Sequence, residues 1–288
     1  MSAPVGLGEE PTDLPPATST PSPAAARATR LRRRLHVFGP AYWAPLVVLL
    51  VVLGLLWHLG ANRWPYLLPP LSEVGGQLRA DPGFYLHNAW ATLREALLGL
   101  LIAFACAFVL AIAISELPVV RRAVMPVAVV LNVTPLVAIA PVLVVAFGFG
   151  MAPKLVVTAL ICFFPILINT AAGLRTVPSD VLQVYRTIHA SRWELLRYLR
   201  IPHALPYVFA ALQIVFPLSV IGAVVAELSA AGFADGLGTT IQVASSRNNL
   251  PVVWAAIFVL AIMGACLLLL VTVVERRVLR WHVSAATR

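Results

Sequence analysis

Charged residues are scarce in this sequence. Only 11% of the 288 residues are Asp, Glu, Lys or Arg and 60% are hydrophobic, whereas a soluble domain has about 25% charged and about 45–50% apolar residues. This composition excludes an ordinary soluble domain. The net charge of +9 does not indicate nucleic-acid binding, because the arginines lie mostly in short segments beside apolar runs, as in membrane proteins. We expect a lipid bilayer around the chain and no nucleic-acid partner.

Lysine and cysteine are scarce as well. The single lysine, Lys154, stands in FGFGMAPKL without a following Ser or Thr, so the Gly-x4-Gly-Lys-Ser/Thr loop that binds nucleotide phosphates is missing. We expect no cofactor in this chain. Cys106, Cys162 and Cys266 lie in apolar runs without metal-ligand spacing, which predicts core residues and no metal site. No Ser-His-Asp, Cys-His or paired-carboxylate pattern stands out, so no catalytic residue is predicted and a membrane enzyme is disfavoured.

Six uncharged apolar runs are long enough to cross a bilayer, which takes about 20 residues. They are residues 43–59, 97–115, 123–149, 155–174, 204–226 and 250–274. An even number of spans places both termini on one side. Arg-rich segments at 27–34 and 275–282 flank the first and last spans, and the positive-inside rule makes their side the cytoplasm. The Lys and Arg residues left on the outside are Arg63, Arg79, Arg94, Lys154 and Arg247.

These runs define the predicted domain organisation. Residues 1–35 are rich in Pro, Ala, Ser and Thr and end in a basic cluster, a composition that predicts a disordered cytoplasmic tail. Residues 36–282 form one transmembrane domain, and residues 283–288 form a short C-terminal tail. The predicted fold class is all-α, multi-pass and integral to the membrane.

Few polar residues interrupt the spans. No Asp, Glu, Lys, Arg or His lies deep within any of the six, so the buried charge typical of an ion pathway is not expected. Prolines in the third, fourth and fifth spans indicate kinked or broken helices, which fit a translocation path. Glu227, at the end of the fifth span, is either an outer-gate carboxylate or a solvated helix end. The other candidate pathway residues, whose alternative role is a hydrogen bond between helices, are Asn132, Thr134, Asn169 and Ser219.

A polar insert at residues 175–203 separates the fourth and fifth spans. Pro178 and Ser179 predict a helix start, and apolar positions at the i, i+3, i+4, i+7 spacing follow along one face. Ser191 and Glu194 form a capping-box signature for a second helix, which Pro202 is expected to end. Such a knob either lies on the membrane surface or docks into a cytoplasmic partner.

The insert resembles a known family. VYRTIHASRWELLRYLRIPHALPYVFAAL is similar to the E-A-A-x-x-x-G loop of ABC importer permeases, in the sulfonate, taurine, nitrate and pyrimidine-precursor branch. That branch reads approximately E-A-A-R-x-L-G-A-S-R-W, followed by L-P-x-A-L-P-Y. Further likeness in LLPPLSEV, TLREALLGLLIAF, TPLVAIAPVLVVAFGFG, FFPILINTAAGLRTV and IGAVVAE extends the resemblance, in order, over residues 65–282. His189 stands where the family usually has Gly.

The resemblance implies a type I importer permease in the cytoplasmic (inner) membrane of a bacterium. Its partners would be a pair of cytoplasmic ATP-binding subunits that bind and hydrolyse the ATP, an extracytoplasmic solute-binding protein and a second permease copy, with a homodimer favoured. Residues 175–203 would be the coupling loop, the name we use below, in which a coupling helix docks into the ATPase. The implied coupling residues are Gln183, Val184, Tyr185, Arg186, Thr187, His189, Ala190, Ser191, Arg192 and Trp193.

Two questions stay open at this point. A secondary transporter or channel without an ATPase also fits six spans, although inverted repeats or buried charge would then be expected. The solute would be a small polar or anionic molecule: a sulfonate, nitrate or bicarbonate, or a pyrimidine- or riboflavin-type vitamin precursor. The segments SVIGAVVAE, ASSRNNLPVVWAAIF and ERRVLRWH look slightly closer to the last group.

Overall fold

The computed structural model describes residues 40–229 and 235–279, and the side chains of residues 40–43, 136 and 186 are outside this description. The predicted tails, 1–35 and 283–288, therefore lie outside the described residues. The chain divides into two compact units, Met1–Gly60 and Ala61–Arg288. The division falls within the helix Pro40–Arg63, just after the first predicted span, and the predicted domain bounds stay a prediction.

The first unit contributes most of helix α1 (Pro40–Arg63). Each residue from Leu46 to Leu53 is more than 40% exposed. A helix that is apolar all round and about 20 residues long suits a bilayer better than water. This helix corresponds to the first predicted span.

The second unit contains nine helices among the described residues. In chain order they are α2 (Leu71–Ala80), α3 (Pro82–Glu116), α4 (Pro118–Val133), α5 (Ala140–Phe147), α6 (Met151–Gly173), α7 (Ser179–Thr187), α8 (Arg192–Ser229), α9 (Leu237–Ser246) and α10 (Leu250–Val278). Four of them, α3, α6, α8 and α10, are long and apolar enough to cross a membrane, as is α1. Five of the six predicted spans are thus present as single helices.

The third predicted span is two helices instead of one. Helix α4 and the segment ending in α5 meet at 80°. Thr134 has extended backbone (φ −66°, ψ 132°) just before Pro135, because a proline ring disfavours helical conformation in the residue before it. The proline-based expectation of a broken helix is confirmed here, and the predicted span 123–149 corresponds to a bent pair of helices.

Helix α8 joins the coupling loop to the fifth span without a break, so the expectation that Pro202 ends the second loop helix is wrong. Proline lacks the N–H of a regular helical hydrogen bond and its ring crowds the preceding turn. Residues Leu195–Arg200 form a π-helical segment immediately before it, in which the Ile201 N–H donates to the Leu196 carbonyl five residues back. The wider turn accommodates the proline, and the helix continues for 38 residues in all.

Small residues bring α3, α6 and α8 into close contact. Ala103, Ala107 and Ala111 are at most 1% exposed and form a stripe at i, i+4, i+8 on α3. Gly99 continues this stripe, where an added Cβ would lie 2.6 Å from Thr158 Cβ of α6. Gly222 of α8 faces the same threonine, with an added Cβ 3.0 Å from its Cα. Close backbone approach through small residues is the usual way for membrane helices to pack.

This contact yields a prediction. Gly99→Ala is expected to destabilise the protein by about 1–3 kcal/mol, because the new methyl group overlaps a packed side chain and backbone. Gly264→Ala on α10 is the control, since no atom lies within 4 Å of its added Cβ and alanine is about 1 kcal/mol better than glycine within a helix. Thermal unfolding of the purified variants in detergent measures both. Equal unfolding temperatures would contradict the close-packed seam.

Candidate functional site

The coupling loop presents apolar side chains to its surroundings. Helix α7 begins at Ser179, as predicted. Val184 and Ile188 are 62% and 68% exposed, and Trp193 at the start of α8 is 64% exposed. Three large apolar side chains this exposed, on a segment otherwise rich in charge, form a surface suited to a partner. We call Val184, Ile188 and Trp193 the loop patch.

His189 ends helix α7 in a left-handed conformation, with φ +54°. The Ala190 N–H donates to the Tyr185 carbonyl, 3.1 Å away. This 6→1 bond is the mark of a Schellman turn, whose left-handed position is usually glycine. The structure therefore has a left-handed turn at the position where the family usually has glycine, and builds it with histidine.

The capping box predicted for the second loop helix is confirmed. The Glu194 N–H donates to Ser191 Oγ (3.3 Å), and the Ser191 N–H donates to Glu194 Oε2 (2.7 Å). These bonds satisfy two backbone donors at the start of α8. The turn between α7 and α8 is consequently fixed at both ends, by the Schellman turn before it and by the cap after it.

The left-handed turn gives a second prediction. His189→Gly is expected to raise the free energy of unfolding by about 1 kcal/mol, because a side chain at positive φ is strained and glycine is not. Asn248, with φ +53°, is the matched control, since asparagine tolerates this conformation and Asn248→Gly should change less. Chemical unfolding of the full chain measures both. A similar gain in the two variants would show that His189 carries no special strain.

The predicted coupling residues lie on α7, on the turn after it and at the start of α8. Side chains of Gln183, Thr187 and Arg192 are exposed, Tyr185 and Ala190 are half-buried, and the side chain of Arg186 lies outside the described residues. Thr187 Oγ1 donates to the Val184 carbonyl, 2.7 Å away. The geometry brings these residues together at the end of the bundle where α6 ends and α8 begins.

Four predicted pathway residues make no side-chain bond to one another among the described contacts. Asn132 is exposed. The others donate to carbonyls of their own helices: Thr134 Oγ1 to Val130 (3.0 Å), Asn169 Nδ2 to Pro165 (2.8 Å) and Ser219 Oγ to Phe216 (2.7 Å). None of these three bonds is the helix–helix bond offered as the alternative role. Their place along a pathway stays a prediction.

Glu227 lies within a buried polar cluster, so the alternative of a solvated helix end is wrong. It is fully buried near the end of α8. Thr92 Oγ1 of α3 donates to Glu227 Oε1 (2.7 Å), and the Gly238 N–H donates to Oε2 (2.5 Å). A carboxylate bonded to donors at the start of a helix is electrostatically favourable. Glu227 thus fastens α9 to α3 and α8.

The start of α9 is held by two further side chains of α3. The Gly236 N–H donates to Asn88 Oδ1 and the Leu237 N–H to Thr92 Oγ1, both at 2.9 Å. A Cβ on Gly236 would lie 2.3 Å from Glu227 Cδ, and this residue has φ +142°. Only glycine lets the backbone pass so close to the carboxylate in this conformation.

The same end of the bundle contains a buried ion pair, which contradicts the expectation that the spans bury no charge. Lys154 of α6 is 1% exposed and Glu95 of α3 is 4% exposed. Lys154 Nζ donates to Glu95 Oε1 at 2.7 Å and lies 3.3 Å from the Asp235 carbonyl. We call Asn88, Thr92, Glu95, Lys154 and Glu227 the outer cluster, after the side assigned to Lys154 by the charge pattern.

Sequence reasoning found only Glu227 of the outer cluster. The uncharged run 97–115 begins after Arg94 and Glu95, although α3 begins at Pro82. A helical pattern in the sequence could have indicated this cluster. The positions i, i+4, i+7 and i+11 are occupied by Asn88, Thr92, Glu95 and Gly99, which continue the alanine stripe of α3. Among residues 40–229 and 235–279, no His, Cys, Asp and Glu side chains group so as to hold a metal ion.

Comparison with known proteins identifies the chain. Residues 97–280 match the family described as binding-protein-dependent transport system inner membrane component. The chain belongs to this family. It is therefore a permease subunit of an ABC importer for small solutes, a multi-pass protein of the inner membrane. Permeases of this family work with ATP-binding and substrate-binding proteins, and the ATPase is a separate subunit.

Individual relatives agree with this family. The riboflavin transport system permease of Chloroflexus aurantiacus is 32% identical over 267 residues, which are 91% of this chain and 98% of the relative. The formylaminopyrimidine transport permease of Halalkalibacterium halodurans is 31% identical, over 81% of this chain and 93% of the relative. An inward-facing structure of a methionine ABC transporter has the same fold, with a TM-score of 0.59 and 18% identity over 67% of this permease and 95% of that chain.

Proposed function

We propose that this permease forms the pathway for a heteroaromatic vitamin precursor of the pyrimidine or riboflavin type. Two relatives that align over more than nine-tenths of their own length carry riboflavin and formylaminopyrimidine in their names. The three sequence segments singled out above favour the same group. A sulfonate, nitrate or bicarbonate is the competing solute class, and binding measurements decide between them.

The observation that carries the coupling mechanism is the continuity of α8. The loop patch lies beside the start of this helix, and Glu227 of the outer cluster lies near its end, within one helix of 38 residues. Closure of an ATP-binding subunit pair would press on the loop patch and move α8 as a rigid body. The coupling residues from Gln183 to Trp193 form the contact, and Arg186 and Arg192 pair with carboxylates of the partner.

At its other end α8 reaches the outer cluster. Because Glu227 is bonded to the start of α9, a displacement of α8 would carry α9 with it or break those bonds. Either outcome changes the outer end of the pathway, where a solute-binding protein delivers the solute.

The proposed assembly contains two copies of this permease as a homodimer, with both termini of each copy in the cytoplasm. The partner subunits bind and hydrolyse ATP, and this chain itself holds no cofactor.

Solute uptake tests the proposal. The full chain is co-expressed with its ATP-binding subunit and solute-binding protein, and uptake is measured in cells depleted of ATP but with the ion gradient maintained. Uptake that stops on ATP depletion is expected, and persistent uptake contradicts coupling to an ATPase. Titration of the binding protein with riboflavin, formylaminopyrimidine, taurine and nitrate tests the solute class. Preference for taurine or nitrate rejects the heteroaromatic assignment and leaves the coupling intact.

A further inference from the structure

A basic cavity of about 650 Å³ opens at the coupling-loop end of the bundle. Its walls come from the end of α3, the start of α4, the end of α6, α7 and the π-helical segment of α8. Its volume lies within the range of about 300–1,000 Å³ typical of small-molecule sites. Among the described residues, none of the predicted coupling residues between 183 and 193 and no residue of the outer cluster lines this cavity.

The cavity contains an excess of positive charge. Arg121, Arg122, Arg175 and Arg200 line it. Arg200 has an acidic partner, since its Nη1 pairs with Glu116 Oε1, and it also donates to Ser115 Oγ, 3.3 Å away. For the other three, the described part of the chain contains no ion-pair partner.

Positive charges that line the cavity act on one another. The pKa of Arg175 lies below its ordinary value, first because of desolvation and then because of the charges of Arg121 and Arg200. Like charges held together in a cavity favour an anion there, because an anion removes the repulsion. Arginine also matches the oxygens of a phosphate group with its fork of N–H donors.

The position of the cavity and its apolar wall further restrict the class of anion that fits. It lies just beyond Glu116 and Gly173, where two spanning helices end. This is the level of lipid headgroups if these helices cross the bilayer. Ile114, Met125 and Leu174 supply apolar surface beside the arginines. Basic pockets between helices at this level bind anionic headgroups.

We propose that this basic cavity is a binding site for a phosphate group, carried by an anionic phospholipid or free in solution. Leu182 of α7 also lines the cavity, so a bound ligand would touch the coupling loop from inside. The site is independent of the transported solute.

Native mass spectrometry of the purified full chain tests this proposal. Wild type is titrated with phosphatidylglycerol, phosphatidylcholine and inorganic phosphate. Phosphatidylglycerol is expected to bind at least tenfold more tightly than phosphatidylcholine.

Variants test which side chains bind the headgroup. Arg121→Gln/Arg122→Gln should weaken phosphatidylglycerol binding about 25-fold, since each arginine near an anionic headgroup contributes about fivefold. Arg276→Gln/Arg277→Gln is the control. Both side chains are exposed in the last turn of α10, outside the cavity, so this variant should bind phosphatidylglycerol like wild type. Thermal unfolding checks that all variants fold.

The outcomes separate the two phosphate sources. If excess inorganic phosphate displaces the lipid and binds alone, the source is free phosphate. If it does not displace the lipid, the source is the headgroup. The proposal is overturned if wild type binds neither phosphatidylglycerol above phosphatidylcholine nor phosphate, or if the Arg121/Arg122 variant binds both like wild type. In that last case, co-purification of the variant with the ATP-binding subunit is measured as well, and its loss would identify the cavity as a protein contact instead.

Discussion

Lys154→Met is expected to destabilise the permease by about 3–5 kcal/mol, the cost of removing one partner of a buried ion pair. Lys154 is 1% exposed, and its Nζ lies 2.7 Å from Glu95 Oε1. Without the ammonium group, Glu95 keeps a buried carboxylate with no cation beside it, and Glu227 lies in the same cluster. Methionine keeps most of the aliphatic length of lysine, so the variant removes charge more than volume.

A double variant distinguishes charge from packing. Lys154→Met/Glu95→Met removes both charges and should recover most of the lost free energy, since a buried pair replaced by apolar groups of similar size is often neutral. Arg79→Met on α2, whose side chain is exposed, controls for loss of a positive charge and should change stability by at most about 0.5 kcal/mol. Thermal unfolding in detergent gives all three values. A double variant no more stable than Lys154→Met contradicts the assignment of Glu95 as the partner.

The buried Lys154–Glu95 pair raises the question of whether the charges of this permease could carry an ion, as in an ion-coupled transporter. Buried charge was the feature expected of a secondary transporter, and it is present here. However, the outer cluster holds its charges through hydrogen bonds to the start of α9, in particular from Gly238 N–H to Glu227. Family membership places this chain among ABC importer permeases. We infer that the charges position the outer end of the bundle and carry no ion.

The coupling loop was the part of the fold most open to sequence reasoning. Two of its features are local: the start of α7 at Ser179 and the Ser191–Glu194 cap each depend on residues within one or two helical turns. Such signals remain readable in a single sequence because tertiary contacts do not enter them. The structure confirms both, whereas the sequence alone left open how the turn at His189 is built.

The outer cluster was least accessible because it is tertiary. Glu95 and Lys154 are far apart in sequence, and each looks like an ordinary charge at the end of an apolar run. Only the close packing of α3 against α6, made possible by Gly99, brings them together. Pro202 failed as a stop signal for a related reason, since a change in helical hydrogen bonding upstream of it absorbs the ring.

Val184→Ser/Ile188→Ser is expected to weaken association with the ATP-binding subunit about 100-fold or more. These side chains are 62% and 68% exposed in the free chain. Burying a side chain of this size in a partner groove contributes about 1.5–3 kcal/mol, so the pair supplies at least about 3 kcal/mol of the docking free energy. Because neither residue supports the core, membrane insertion and unfolding temperature should stay unchanged. Affinity for the purified subunit, measured in nanodiscs, checks the prediction.

Leu86→Ser is the matched control for this surface. Leu86 is 69% exposed, as much as Ile188, but lies on α3 at the end of the bundle opposite the coupling loop. A partner that docks on the loop patch cannot reach it, so this variant should bind like wild type. Weakening by both variants would mean that serine substitution perturbs the permease generally. Weakening by neither would place the ATPase contact away from the loop patch, and α8 would then need another point at which to receive its displacement.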